Sequence, residues 1–156
     1  MTTYLVRTRG VTEAVASFVF GLGPFTGILG SLVGGYLGDK IGAKRTLDFA
    51  VVGCILSLAA LAFCSQLFPL TVLYVVYAFF SNTVWSPMNT LVTDLTPKAE
   101  RGLSFSVYFL TEGVIVAATP VLTAAVIGLT DVWTIFPFGI LFLVAGLVTL
   151  QLLSHR

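Results

Sequence analysis

Long apolar runs alternate with short polar clusters along the whole of this 156-residue chain. Five runs reach the roughly 20 residues that a helix needs to cross a hydrocarbon layer about 30 Å thick: 14–38, 47–66, 70–93, 103–127 and 132–153. Strands of a membrane barrel would instead show segments of about ten residues with alternating polarity, and these runs do not alternate. The pattern predicts an all-α membrane protein, a single transmembrane domain of five helices over residues 1–156.

Composition agrees. Apolar residues make up 57% and charged residues 10%, against about 25% charged in a water-soluble domain, and mean hydropathy is +1.01. The lipid bilayer is therefore the expected surroundings. Eight basic residues spread over several segments, with a net charge of +1, form no footprint for nucleic acid. Cys54 and Cys64 share one apolar run, where ten residues of helix separate them by about 15 Å, beyond disulfide reach. Both read as buried thiols.

Charge is distributed unevenly among the connections. Asp39, Lys40, Lys44 and Arg45 fall between the first and second runs, Asp94, Lys98, Glu100 and Arg101 between the third and fourth, and Arg156 ends the chain. The links 65–69 and 128–131 hold no Lys or Arg. Because Lys- and Arg-rich loops stay in the cytoplasm, this predicts an external N-terminus and a cytoplasmic C-terminus in the plasma (inner) membrane. Arg7 and Arg9 oppose that bias, two cations against six. The segment MTTYLVRTRGVTE has no apolar core of signal-peptide length; it reads as the tail of a preceding helix and its outer loop, in a chain that starts partway through something larger.

The stretch 34–45, GGYLGDKIGAKR, sets four ionisable side chains within seven positions between two apolar runs. Its pattern Gly35-x-x-x-Asp39-Lys40-x-Gly42-x-Lys44-Arg45 resembles the signature loop of the major facilitator superfamily of secondary transporters. Asp94-Leu95-Thr96-Pro97-Lys98-Ala99-Glu100-Arg101-Gly102, two spans later, is similar to that family's acidic, proline and Arg-Gly loop. The resemblance covers nearly the whole chain and implies five of the six helices in one half of a twelve-helix bundle. Run three carries no basic residue, unlike the fourth helix of the family's N-terminal half. The five spans therefore correspond to helices eight to twelve, and the missing N-terminal half becomes an expected partner.

Each part of the signature has a physical reading. Gly38 and Gly42 permit a tight reversal. Lys40, Lys44 and Arg45 hold the loop at an anionic leaflet, each contributing about 1 kcal/mol of attraction. Asp39 suits the positive end of a neighbouring helix, and the resemblance implies that it braces one half against the other when the transporter faces outward. A purely topogenic loop would account for the cations but not for the aspartate or the glycines. Run one also carries small residues at 23, 27, 31 and 35, with a second row at 30, 34 and 38. Such faces let membrane helices pack backbone to backbone, and Pro24 predicts a kink or local irregularity.

Polar residues deep in the spans are the candidates for function. Glu112 lies ten residues beyond Gly102, or about 15 Å, near mid-bilayer, where a carboxylate must be protonated, paired or facing water. Burial disfavours the charged form of a carboxyl group, which suits a proton-coupling site. The competing reading is a structural carboxyl hydrogen-bonded across a helix seam. Tyr108, Thr119, Ile115 and Val116 share or border its face, and Thr119-Pro120 stands where many of the family's exporters have Gly-Pro within a longer glycine motif absent here. In run three, Tyr74, Tyr77, Ser81, Trp85 and Met88 recur at helical spacing, with Asn82, Ser86 and Asn89 as a polar edge. This lining suits an amphipathic organic solute. Tyr74 is assigned to the interfacial aromatic belt, and Tyr77, Ser81, Asn82, Trp85 and Tyr108 to a substrate cavity.

No catalytic set, metal-ligand spacing or phosphate-cradling loop is present in the sequence, and the single histidine, His155, reads as a solvated tail residue. Neither enzymatic activity nor a cofactor is expected. The expected function is transmembrane transport of a small organic solute by alternating access in a secondary, proton-coupled symporter or antiporter, efflux included. The alternative is a non-transporting membrane assembly or regulatory protein derived from a truncated transporter. A homodimer of half-size units suits an odd number of spans poorly.

Overall fold

A computed structural model describes residues 2–153; His155 and Arg156 lie outside the described residues. The described residues form seven helices, α1 (Thr2–Arg9), α2 (Glu13–Ile41), α3 (Ala43–Phe63), α4 (Leu67–Thr83), α5 (Trp85–Leu95), α6 (Arg101–Leu129) and α7 (Ile135–Leu153), all but α1 arising from the apolar runs, with single 3₁₀ turns at Lys98–Glu100 and Val132–Thr134. Five helical stretches are long and apolar enough to cross a membrane, α4 and α5 together forming the third. The first four extend past their predicted bounds on at least one side, because helix continues wherever the backbone has no water-exposed alternative, and the fifth stays within its own.

The largest departure from the sequence reading is at the signature. α2 continues to Ile41 and α3 starts at Ala43, so the expected loop is one residue, Gly42. Asp39 and Lys40 occupy the last turn of α2, while Lys44 and Arg45 occupy the first turn of α3. Gly42 has φ +91°, a conformation open to glycine and costly for residues with a Cβ. Its N–H donates to the Gly38 carbonyl (3.1 Å), and its own carbonyl accepts from the N–H (3.2 Å) and hydroxyl (3.0 Å) of Thr46. Gly38, expected in the reversal, is helical; a Cβ there would lie 3.6 Å from Pro87.

Run three is one span in two segments. Pro87 has no N–H to offer the Thr83 carbonyl four residues back, and the helix is interrupted at Val84 before the ladder resumes with Met88 N–H to Val84 O at 3.1 Å. The released Thr83 carbonyl faces Gly34 of α2: a Cβ built on Gly34 would run into it, and one built on Gly30 would run into the Phe79 carbonyl. Gly23 and Gly27 continue this seam against Tyr74 and Asn82. The predicted small-residue rows of run one are thus the faces along which α2 meets α4 and α5 backbone to backbone. On the other side of α4, Gly53 of α3 admits the Phe80 ring.

Pro24 leaves the helix α2 continuous. By the same geometry it leaves the Phe20 carbonyl without its helical donor, and the Tyr74 hydroxyl supplies one from α4 at 3.2 Å. Tyr74, assigned above to the aromatic belt, is 8% exposed and belongs to the core. Tyr74→Phe should therefore strand that carbonyl. Interhelical hydrogen bonds in membranes average about 0.6 kcal/mol and reach about 1.7 kcal/mol; with Pro24 in place of the helical donor, a loss toward the upper end, about 1–2 kcal/mol, is expected. Thermal unfolding in detergent would read it as a lowered midpoint, and an unchanged midpoint would exclude this role.

The two ends of the bundle are fastened differently. At the Arg9 end, one Arg9 nitrogen (Nη2) donates to the Cys64 carbonyl and to the Tyr4 hydroxyl, both at 2.7 Å. Trp133 Nε1 donates to the Ala62 carbonyl at 3.1 Å, and Tyr4 meets Phe136 edge to face with centroids 5.0 Å apart. Arg9, which runs against the charge bias, satisfies the frayed C-terminus of α3, where backbone carbonyls lack helical donors. Cys64 is half-exposed there, not buried as expected, whereas Cys54 is buried. At the Gly42 end, Lys44 Nζ lies 3.7 Å from Asp48 and donates to Gln151 Oε1 at 3.0 Å, while Gln151 Nε2 donates to Asp48 Oδ1 at 2.9 Å. α7 is tied to α3 at both ends. α6, by contrast, buries none of its residues.

Candidate functional site

α6 turns one face toward the bundle, and that face carries Tyr108 and Glu112 four residues apart. At 1.5 Å per residue, Glu112 lies about 16 Å into α6 from Arg101. There it borders a cavity of about 330 Å³ whose lining includes Cys54 from α3, Ser81 from α4, and Trp85 and Met88 from α5, besides Tyr108. Four predicted residues from three segments, Ser81, Trp85, Tyr108 and Glu112, thus share one space. The same α6 face farther along, at Ile115 and Thr119, borders a separate apolar cleft of about 540 Å³ against α7; Val116 does not line it.

Two predicted cavity residues sit elsewhere. Asn82 turns toward α2, its amide donating to the Ala78 carbonyl at 2.8 Å and packing on Gly27. Successive residues on a helix are rotated by about 100°, and here Ser81 faces the cavity while Asn82 faces α2. Tyr77 borders a smaller cavity of about 200 Å³ with Leu58, Leu61 and Phe136. Cys54 went unrecognised in the sequence, because a thiol inside an apolar run carries no signal of the face it occupies.

A second polar surface adjoins the first. Ser31, Ser86, Asn89, Thr90 and Thr93 form a groove of about 500 Å³ between α2 and α5, closed at one side by Trp85. Trp85 therefore separates groove from cavity. The Oδ1 of Asn89 is buried there with no hydrogen-bond partner.

The signature residues cluster at the Gly42 end. Gly35 packs under Ser86, where a Cβ would lie 3.2 Å from its Oγ. Asp39 and Arg45 are exposed, and Asp39 makes no ion pair among the described residues. Lys40 sets its ammonium 4.6 Å from the Tyr36 ring centroid, and Lys44 joins the Asp48–Gln151 network. Asp94 is exposed in the last turn of α5; Arg101 opens α6 partly buried, its Nε without a partner. Asp48 and Gln151 were missed in the sequence, although Lys44 and Asp48 have the i,i+4 spacing of a helical ion pair.

A bundle of five membrane-length helices with no strand among the described residues, bordering a cavity with a carboxyl group at mid-span, defines a multi-pass integral membrane protein. The chain belongs to the major facilitator superfamily, whose sequence profile matches residues 1–155. It is 28% identical over 119 residues to the uncharacterized MFS-type transporter YqjV of Bacillus subtilis (strain 168), covering 76% of this chain and 29% of that protein. It is 27% identical over 137 residues to the probable galactarate/D-glucarate transporter GudP of Pseudomonas putida, covering 83% of this chain and 30% of that protein. The chain thus spans under a third of the length of these curated relatives. No solved structure matches it.

Proposed function

We propose that this chain forms one wall of the solute path in a proton-coupled secondary transporter working by alternating access, with Glu112 as the coupling carboxyl. The observation that carries the reading is the convergence of Glu112, Tyr108, Ser81 and Trp85 on one cavity inside a membrane-length bundle of a transporter family. The titratable groups lining that cavity with Glu112 are Tyr108 and Cys54; among the described residues no Lys, Arg, His or second carboxylate lines it. Glu112 thus places an exchangeable proton in the same space a solute would occupy, and that shared space links proton and solute. The sugar-acid substrate in the P. putida relative's name does not suit this wall, since neither cavity nor groove offers a basic side chain for two carboxylates.

In this reading the Gly42 end faces the cytoplasm, and Asp39, exposed in the last turn of α2, braces the partner half in outward-facing states. Asp39→Asn is expected to raise the inward-facing population, measured as faster labelling of the cavity's Cys54 from the cytoplasmic side. Equal labelling would remove the gating role. For transport itself, proteoliposomes containing the protein and a trapped pH-sensitive dye should show proton movement on addition of a transported solute. If a broad panel of organic solutes evokes neither proton movement nor solute flux, the transport reading fails.

A further inference from the structure

We infer that the paired spaces on either side of Trp85 select an organic cation bearing N–H donors; this deepens the transport reading and rests on it. Groove and cavity are lined by one carboxyl group, by hydroxyl and amide groups and by the Trp85 ring. In the groove, the Ser31 hydroxyl donates to Ile28 O at 2.9 Å, Thr90 to Ser86 O at 3.3 Å and Thr93 to Asn89 O at 2.9 Å. With their protons committed to their own helices, these hydroxyls offer a ligand lone pairs only. Asn89 Oδ1 is a buried acceptor with no partner, a state that native proteins rarely leave uncompensated.

Charge points the same way. Among the described residues Glu112 is the one carboxyl group lining either space, and no Lys or Arg lines them. Trp85, 44% exposed and common to both linings, presents the ring type that attracts cations most strongly, and desolvation strengthens that attraction. An ammonium beside the indole shares the cavity with the Glu112 carboxyl group, and the N–H groups of the rest of the molecule face the adjoining groove with Asn89, Thr90 and Thr93. An anion of the same size would meet a carboxyl group and, among the described residues, no Lys or Arg.

The test uses three probes of one shape: 2-phenylethylammonium, 2-phenylethanol and phenylacetate. Trp85 and Trp133 are the chain's two tryptophans, so Trp133→Phe makes Trp85 the sole reporter; titration calorimetry on the unaltered protein gives the same ranking should that variant fold poorly. Saturable quenching by the ammonium probe is expected, with affinity at least about tenfold above the alcohol and no binding of phenylacetate. Asn89→Leu and Glu112→Gln should each weaken ammonium binding by about fivefold or more. Equal or tighter binding of the alcohol or the anion, binding of no probe, or unaltered ammonium affinity in both variants overturns the inference. Because binding is read without flux, selective binding with no solute-evoked flux in proteoliposomes defeats the transport reading alone, and flux with anion-preferring binding defeats this one alone.

Discussion

Gly34→Leu should prevent the bundle from assembling, whereas Gly21→Leu, thirteen positions earlier in the same helix, should be tolerated. The difference lies in what each side chain would meet. A Cβ on Gly21 finds nothing within 4 Å, but one on Gly34 runs into the Thr83 carbonyl, with the Thr83 backbone carbon 3.1 Å away. A flexible side chain could swing aside; this backbone cannot, because Thr83 is fully buried and its hydroxyl is anchored to Phe79 O at 2.9 Å. Overpacking a tight interior costs about 1–3 kcal/mol and sometimes more. Gly34→Ala is placed in that range and Gly34→Leu above it, enough to exceed much of a typical folding free energy. Gly21→Leu should stay within about 0.5 kcal/mol, as for substitutions away from packed features. Thermal unfolding and monodispersity in detergent measure both, and indistinguishable behaviour of the two leucine variants would refute the backbone seam.

Glu112→Gln carries the second large effect. Glutamine keeps the size of the side chain and much of its hydrogen bonding but cannot exchange a proton, so the cavity wall is preserved while the coupling step is removed. Solute exchange across proteoliposomes at equal pH is expected to continue. Flux driven by an imposed pH gradient should fall about tenfold or more. A gradient response equal to that of the unaltered protein would take Glu112 out of the coupling role, leaving it the structural carboxyl that its sequence position equally allows. Half-exposed on a helix that buries none of its residues, Glu112 owes little of its environment to packing within α6 itself, so loss of fold is not the expected cause of a deficit.

Much of the architecture could be read in advance because it depends on one-dimensional quantities. The length of an apolar run decides whether a helix crosses the bilayer, and all five expected spans are present. Rows of glycine at helical spacing identified the α2 seam, since only residues without side chains leave such a groove. Three local outcomes were less legible. Asp39 and Lys40 stayed helical because a single positive-φ glycine suffices for the reversal. Pro87 interrupted run three where an uninterrupted span was expected. Tyr74 left the aromatic belt for the core because Pro24, 50 positions away, freed a carbonyl that needed a donor.

Hydropathy and spacing by themselves determined that this protein lives in a membrane, where its helices lie, and which residues are too polar for their depth. They act along the chain, and each residue's contribution is counted before any helix meets another. Only the tertiary structure decided which polar residues look at one another: Ser81 into the cavity with Glu112 and its neighbour Asn82 into the glycine seam, Trp85 between two spaces, and Gln151 across to Lys44 and Asp48. Those partnerships depend on the rotation and crossing of whole helices, which are fixed by glycine contacts and freed carbonyls summed over entire interfaces, a quantity no local stretch of sequence contains.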